Sequence, residues 1–448
     1  MSPETILFVK TVFWILLPLT VFLPIRWSVI AYLLLVQFDV SGIADFSSTA
    51  LGIENAIKVV AVPTLLLIRT RPMDCLDSTS VKLRLFWLLF AAYASVASLW
   101  SPDPLSALKM VGYLYANTVL FVVFVAGWRR NWFDVKSLAL VVWVSLLLAI
   151  VQTFVLGNDY GNALDEQRFT GFNGAQSFAA FLLAMIVLLM FSDQQSVPKK
   201  LTIAGAFVGI ILTGSRSIFV GFLWVLMVTL VFRSSRSGRS LPVRLILKRT
   251  LLAGVSVFGI AILVFTLLPE NRLNELLAAG ASDKSSLQDV GSYTWRLAVY
   301  GATLEELAGR TPAELVVGSG TSSGGDMVVS HHFFSNQNVD PNRAMHDEFL
   351  RCLYEWGAPG LLFFIAFLYY AGRLVLTKIT ELGSREAWAF LAISVPLLIS
   401  LTVENVFAES AGPSGVGYSL VLTALVASGC TFESETQNAA VSEAPLLV

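Results

Sequence analysis

Charge is scarce in this chain. Asp, Glu, Lys and Arg together make up 14% of its 448 residues, against about 25% in a soluble domain, which excludes an ordinary water-soluble fold. The net charge is −1, so no basic surplus points to a nucleic-acid partner. Cysteine is limited to Cys75, Cys352 and Cys430, odd in number and far apart, which argues against a disulfide framework and against zinc or redox motifs. Histidine is as rare. His331, His332 and His346 include no pair at the helical spacing of metal ligands, so no metal site is expected.

What fills the chain instead is apolar sequence, 56% of it. Long uncharged runs recur, such as SLALVVWVSLLLAIVQTFVL at 137–156 and LLAGVSVFGIAILVFTLLP at 251–269, each close to the roughly 20 residues that cross a bilayer as a helix. They are unbroken rather than alternating, which rules out a barrel. The expected fold class is all-α: a polytopic transmembrane bundle of twelve or thirteen spans, in one multi-pass domain over 1–430. Candidate spans lie near 6–25, 27–39, 50–68, 83–100, 107–127, 137–156, 175–192, 200–213, 217–232, 250–268, 349–371, 387–403 and 414–430. The second and eighth are short. The first has neither a basic segment before it nor a small-residue cleavage site after it, and reads as a retained span. No repeat of fixed period is present. The polar tail 431–448 reads as a disordered cytoplasmic extension.

Lysine and arginine in short loops set the orientation. RSSRSGRSLPVRLILKR at 233–249 holds six basic residues and no acid, which makes it cytoplasmic. Alternating from there gathers Arg26, 69–84, 128–136, 193–200 and 371–386 on the same side, and together with 233–249 these hold 19 of the chain's 30 basic residues. The outer side then receives 157–174, the turn 213–217 and a loop of about 80 residues, 269–348. Within that loop Tyr293, Leu297, Tyr300, Leu304 and Leu307 fall at helical spacing, predicting an amphipathic helix on or near the outer membrane surface.

Four residues on that side stand out: Arg168, Arg216, Arg296 and His346. Arginine at membrane depth is costly unless paired. Taken alone, Arg216 reads as a snorkelling side chain, as a partner of an acid such as Glu404, or as a binding group; Arg168 in a polar loop can be simply solvated. Arg296 flanks the apolar stripe of the loop helix, and His346 opens a span with Leu350, Leu353 and Gly357 on its face. GSGTSSGG at 318–325 reads as an unstructured linker in preference to an anion cradle. GAPG at 357–360 interrupts a span where freed backbone groups must face protein or a water-filled cavity.

In order along the chain stand WSPDP (100–104), RFTGF (168–172), TGSRS (213–217), TWRL (294–297), GSG (318–320) and HDEFLRCLYEWGAPGLL (346–362). Together they resemble the O-antigen ligase and polysaccharide (O-antigen, exopolysaccharide) polymerase family of bacterial membrane glycosyltransferases, over about 98–370. Where many members carry an asparagine after the first arginine motif, this chain has Gln176 and Ser177. The resemblance implies a multi-pass inner-membrane enzyme without a cofactor. Its donor is a glycan on undecaprenyl diphosphate, and its acceptor a sugar hydroxyl of a lipid A core or of a lipid-linked repeat unit. It implies Arg216, Arg296 and His346 as catalytic residues and Arg168, Arg216 and Arg296 as the diphosphate site. Permanently charged planar arginines suit phosphate oxygens, and histidine suits a hydroxyl proton. The alternative is a transporter or flippase of an anionic lipid-linked metabolite. That class places its site near the midplane on broken helices with a detectable repeat, whereas here the charges gather at the outer rim.

Overall fold

Uncharged apolar runs satisfy their backbone in hydrocarbon by becoming helices. A computed structural model describes residues 3–38, 54, 56–70, 81–155, 175–192, 196–235, 292–330, 345, 347–382, 384–403, 406 and 413–427. Among these it has fifteen α-helices and no strand. They are α1 Pro3–Phe22, α2 Ile25–Leu35, α3 Val62–Thr70, α4 Val81–Ala97, α5 Pro104–Arg129, α6 Val135–Phe154, α7 Ala175–Phe191, α8 Val197–Thr213, α9 Arg216–Ser235, α10 Ser292–Gly309, α11 Pro312–Val317, α12 Ser323–Ser330, α13 Glu348–Leu382, α14 Arg385–Val403 and α15 Pro413–Ala427. A π-helical turn, Ile57–Ala61, leads into α3. The chain is an all-α polytopic membrane protein. Among the described residues, five segments are long and apolar enough to span by themselves: Val81–Trp100, Pro104–Arg129, Val135–Phe154, Glu348–Thr380 and Arg385–Thr402. The 11 residues of α2, at ~1.5 Å each, fall well short of the ~30 Å core. The expected span 250–268 and the tail 431–448 lie outside the described residues.

The centre of the bundle is α7. Every residue from Phe178 to Leu189 is buried, as expected of a helix apolar on all faces. Around it pack α6, α8, α9, α14 and α15, while α13 lies along α4 and α14.

The two ends of the bundle differ in chemistry. At one end, basic side chains cap helix C-termini. Arg69 donates to the carbonyls of Val21 at 2.7 Å and Leu23 at 2.5 Å. Arg130 donates to that of Thr70 at 2.9 Å, Lys199 to Ser192 at 2.9 Å, and Lys378 to Leu425 at 2.9 Å. Each places a cation where orphan carbonyls and the negative end of the helix dipole gather. Arg26 joins them through Asp134 at 2.8 Å and Ser137 at 2.8 Å. Partial burial raises the Asp134 carboxyl, but the Ser137 hydrogen bonds and the Arg26 charge outweigh it and hold the group below the ordinary range. All five basic residues lie in segments that the lysine and arginine count puts on one side. The segment Ser292–Ser330 packs at the opposite end, hereafter the loop end.

Candidate functional site

Of the four singled-out residues, Arg168 and His346 lie outside the described residues, as do His331, His332 and Glu404. Arg216 is the first residue of α9, and its backbone is described. The TGSRS motif reads directly as a helix–helix turn: Gly214, at φ 63°, caps α8, and Ser215 donates its N–H to Thr213 Oγ1 at 3.2 Å. The left-handed conformation is one glycine adopts freely. The carbonyl of Ser215 then accepts from Phe219 N–H at 3.0 Å, opening α9. Further along α9, Gly221 faces Pro396 of α14, where an added Cβ would stand 2.8 Å from the proline ring. Five residues back along α9, or six forward along α14, is a rise of ~8 Å in either direction. Arg216 therefore starts α9 at about the height of Thr402.

Thr402 is also where α10 is tied down. Tyr300, one turn after Arg296, donates to its carbonyl at 2.6 Å. At its other end α10 is gripped by Tyr354 of α13, whose hydroxyl donates to Glu306 Oε2 at 2.6 Å. The Arg310 guanidinium stacks 3.9 Å over the Tyr354 ring and donates to its carbonyl at 3.0 Å. Between these ties, Val299, Ala302 and Leu307 form a small core with Met327, Met345 and Tyr354, on which Leu350 and Leu353 pack. The face that His346 was expected to share with Leu350 and Leu353 is thus the face of α13 that meets the Arg296 helix. The loop helix exists as predicted, but its stripe divides: Leu297 and Leu304 are exposed, and burial falls on Val299, Ala302 and Leu307. Arg296 is half-buried, and its Nε is buried with no hydrogen-bond partner among the described residues; Gln176 Nε2, at the same end of α7, is likewise buried and unpartnered there.

His346 is bracketed by fixed neighbours. Met345 is buried in the small core, and Asp347 caps α13 by accepting from Leu350 N–H at 2.8 Å. Burial raises the Asp347 carboxyl, and the Leu350 and Phe349 N–H groups offset part of that rise. Glu348 accepts from Val406 N–H at 2.8 Å, tying the start of α13 to the segment that follows Thr402. The starts of α9 and α13, the Arg296 helix and the end of α14 therefore share the loop end.

The glycine-rich segment corrects the expectation of an unstructured linker. GSGTSSGG is pressed between α4 and α13. Ser319 and Gly320 N–H donate to the carbonyls of Tyr354 and Glu355 at 3.0 and 2.9 Å, and Thr321 N–H to that of Ala97 at 3.3 Å. The Thr321 hydroxyl reaches Ala94 at 2.5 Å and accepts from Trp356 Nε1 at 2.9 Å. The segment does cradle an anion, but the anion is the chain's own Glu355, which accepts from Ser322 and Gly324 N–H at 2.8 and 3.2 Å. Contact this close excludes side chains. At Gly357, with φ 59° and ψ −165°, α13 breaks in a region open only to glycine, and a Cβ there would strike the carbonyl of Val316. GAPG interrupts its span as expected, and the freed backbone faces protein.

Sequence reading passed over Arg351 and Glu355, buried and paired at 3.0 Å. The signal was present, because two opposite charges at i, i+4 inside an apolar span require each other and further partners. Bonds to a charged group contribute about 1.5–3 kcal/mol each, and removing one partner of a buried pair costs about 3–5 kcal/mol. WSPDP has a local explanation. Asp103 caps α5 through Leu105 and Ser106 N–H with Pro104 in the first turn, and the Ser101 hydroxyl donates to the Thr321 carbonyl at 2.6 Å. Desolvation and the neighbouring charge of Asp103 raise the carboxyl of Asp326 in α12.

The fold defines a polytopic helical membrane protein in which the starts of α9 and α13 and the helix that carries Arg296 lie at one end of the bundle. The family model described as O-antigen ligase matches residues 201–365, a stretch running from α8 to the middle of α13 that contains TGSRS, TWRL, GSG and the His346 motif. This match supports a place for the chain in the O-antigen ligase/polymerase family. No curated protein matches it.

Proposed function

We propose that the protein is a metal-independent, inverting glycosyltransferase of cell-surface polysaccharide biosynthesis, working at the periplasmic face of the bacterial inner membrane. Its donor is a glycan on undecaprenyl diphosphate. Its acceptor is a sugar hydroxyl of a lipid A core (ligase) or of another lipid-linked repeat unit (polymerase). The observation that carries the reading is the family match over the stretch that holds Arg216, Arg296 and His346. It is supported by the common height of the α9 start, the α10 anchor and the α13 start at the loop end.

In the reaction, the acceptor oxygen attacks the anomeric carbon while the bond from that carbon to the diphosphate oxygen breaks. Undecaprenyl diphosphate leaves with the bonding pair, and His346 takes the hydroxyl proton. Direct displacement inverts the centre. Arg168, Arg216 and Arg296 bind the diphosphate and stabilise the charge that builds on it. The leaving group is already competent, so no metal is required. The buried donors on Arg296 and Gln176, without a partner among the described residues, suit an acceptor-rich ligand.

The test is purified protein in nanodiscs with lipid-linked donor, acceptor and excess EDTA. A new glycosidic bond with inverted configuration is expected. Donor moved across a vesicle wall without a new bond would establish the transporter instead.

Topology is tested separately by cysteine labelling in a cysteine-free background. Ala313 at the loop end and Lys200 at the basic end are exposed. An impermeant reagent should label Ala313→Cys and not Lys200→Cys in intact spheroplasts. The reverse pattern would invert the map.

A further inference from the structure

Glu355 has no part in this chemistry, yet three elements of the loop end meet on it. Its Oε2 accepts from Ser322 N–H at 2.8 Å, and its Oε1 from Gly324 N–H at 3.2 Å and from Arg351 Nε at 3.0 Å. Its backbone carbonyl takes Gly320 N–H at 2.9 Å. Arg351 in turn reaches Met110 of α5, with Nη2 3.4 Å from the sulfur. Ser322 sits at φ 72°, a conformation that a residue with a side chain keeps only where its surroundings over-determine it. The carboxylate supplies that constraint.

Neutralising Arg351 requires only one oxygen of Glu355. The rest of the carboxylate is spent on backbone N–H groups of the segment that continues from α10 and α11. Two residues on, α13 breaks at Gly357, so the latch sits at the hinge between the span and the part of α13 that begins beside His346. We infer that Glu355 is a positioning residue. By holding residues 318–324 against α4 and α13, it fixes the segment that continues from α10 and completes the ties made by Tyr300, Glu306 and Arg310, and so sets the height of Arg296 relative to the start of α13. What is positioned rests on the glycosyl-transfer reading; the latch itself rests on the hydrogen bonds.

The test uses the full-length protein in nanodiscs. Glu355→Gln keeps the shape but turns one of the two accepting oxygens into an NH2 donor, so Ser322 N–H at the Oε2 position and Gly324 N–H at the Oε1 position can no longer both be met in place. Amide exchange over 318–324 should quicken and kcat should fall about 10²-fold, the scale of an ångström-sized misplacement, with KM for the acceptor unchanged. A second variant, Arg351→Met with Glu355→Gln, removes both charges, so the cost of leaving one buried charge uncompensated is lifted. If Glu355 positions the loop, thermal stability returns while exchange stays fast and kcat stays low. Recovery of stability and kcat together would mean that Glu355 only neutralises Arg351, and the inference fails. If wild-type protein forms no glycosidic bond, the transferase reading falls independently. The exchange data then decide: quickened exchange in Glu355→Gln upholds the latch, and wild-type exchange removes it.

Discussion

Replacing His346 with alanine should remove turnover and leave the donor bound. A positioned general base contributes about 10²–10⁴-fold, and the alanine variant should lose a factor in that range in kcat while its affinity for the lipid-linked donor stays close to wild type. The substitution removes little else. Met345 on one side is packed against Val299, Ala302 and Leu307, and Asp347 on the other holds the first turn of α13, so the local backbone keeps its anchors. The wild-type rate should also fall as pH drops below about 6.5, the ordinary histidine value, because a protonated imidazole has no lone pair for the acceptor's proton. The alanine variant should lose that acid limb. Single-turnover transfer with saturating acceptor, measured from pH 5 to 8, reads both. A variant that transfers at the wild-type rate, or keeps the same acid limb, would take the base role away from His346.

Much of the fold was written in the local sequence. Helices follow from apolar runs because hydrocarbon offers the backbone no other partner. Turns follow from residues with special conformational needs, such as Gly214 in TGSRS and the Asp103–Pro104 start of α5. The gathering of Arg216, Arg296 and the α13 start at one end followed from counting lysines and arginines. What local pattern did not disclose is which surfaces meet. Glycine and serine in GSGTSSGG have the same composition whether solvated or compressed. Their partners, Ala97 and Glu355, lie far away in the chain, and only the tertiary contact makes them necessary. How the apolar positions of α10 divide between the bundle and its outside was hidden for a related reason. A helical period identifies apolar positions, but an exposed stripe with Leu297 and Leu304 and a buried one with Val299 and Leu307 are both apolar. The Arg351–Glu355 pair was legible as an anomaly, a buried charge in a span. Its cradle of backbone N–H groups was not.

Arg296 tests the anion site most cleanly, because the helix that carries it is held by other residues. Tyr300 is bonded to Thr402, and Glu306 and Arg310 to Tyr354, so Arg296→Ala should insert and fold normally. Its own Nε is buried without a partner among the described residues, and an unsatisfied charged donor there is costly unless a ligand completes it. The alanine variant should therefore lose about 10²–10³-fold in kcat/KM for the lipid-linked donor, the scale of removing one preorganised donor to a developing oxyanion. Lysine is the sharper comparison. It restores the charge as a point and omits the planar fork that meets two phosphate oxygens at once, so Arg296→Lys should fall between alanine and wild type. The loss should lie mainly in kcat, since the oxygens gain charge only as the glycosidic bond breaks. Arg216, at the start of α9, is expected to behave alike. Full activity in Arg296→Lys would reduce the requirement to net charge, and near-normal transfer in Arg296→Ala would remove the residue from the diphosphate site.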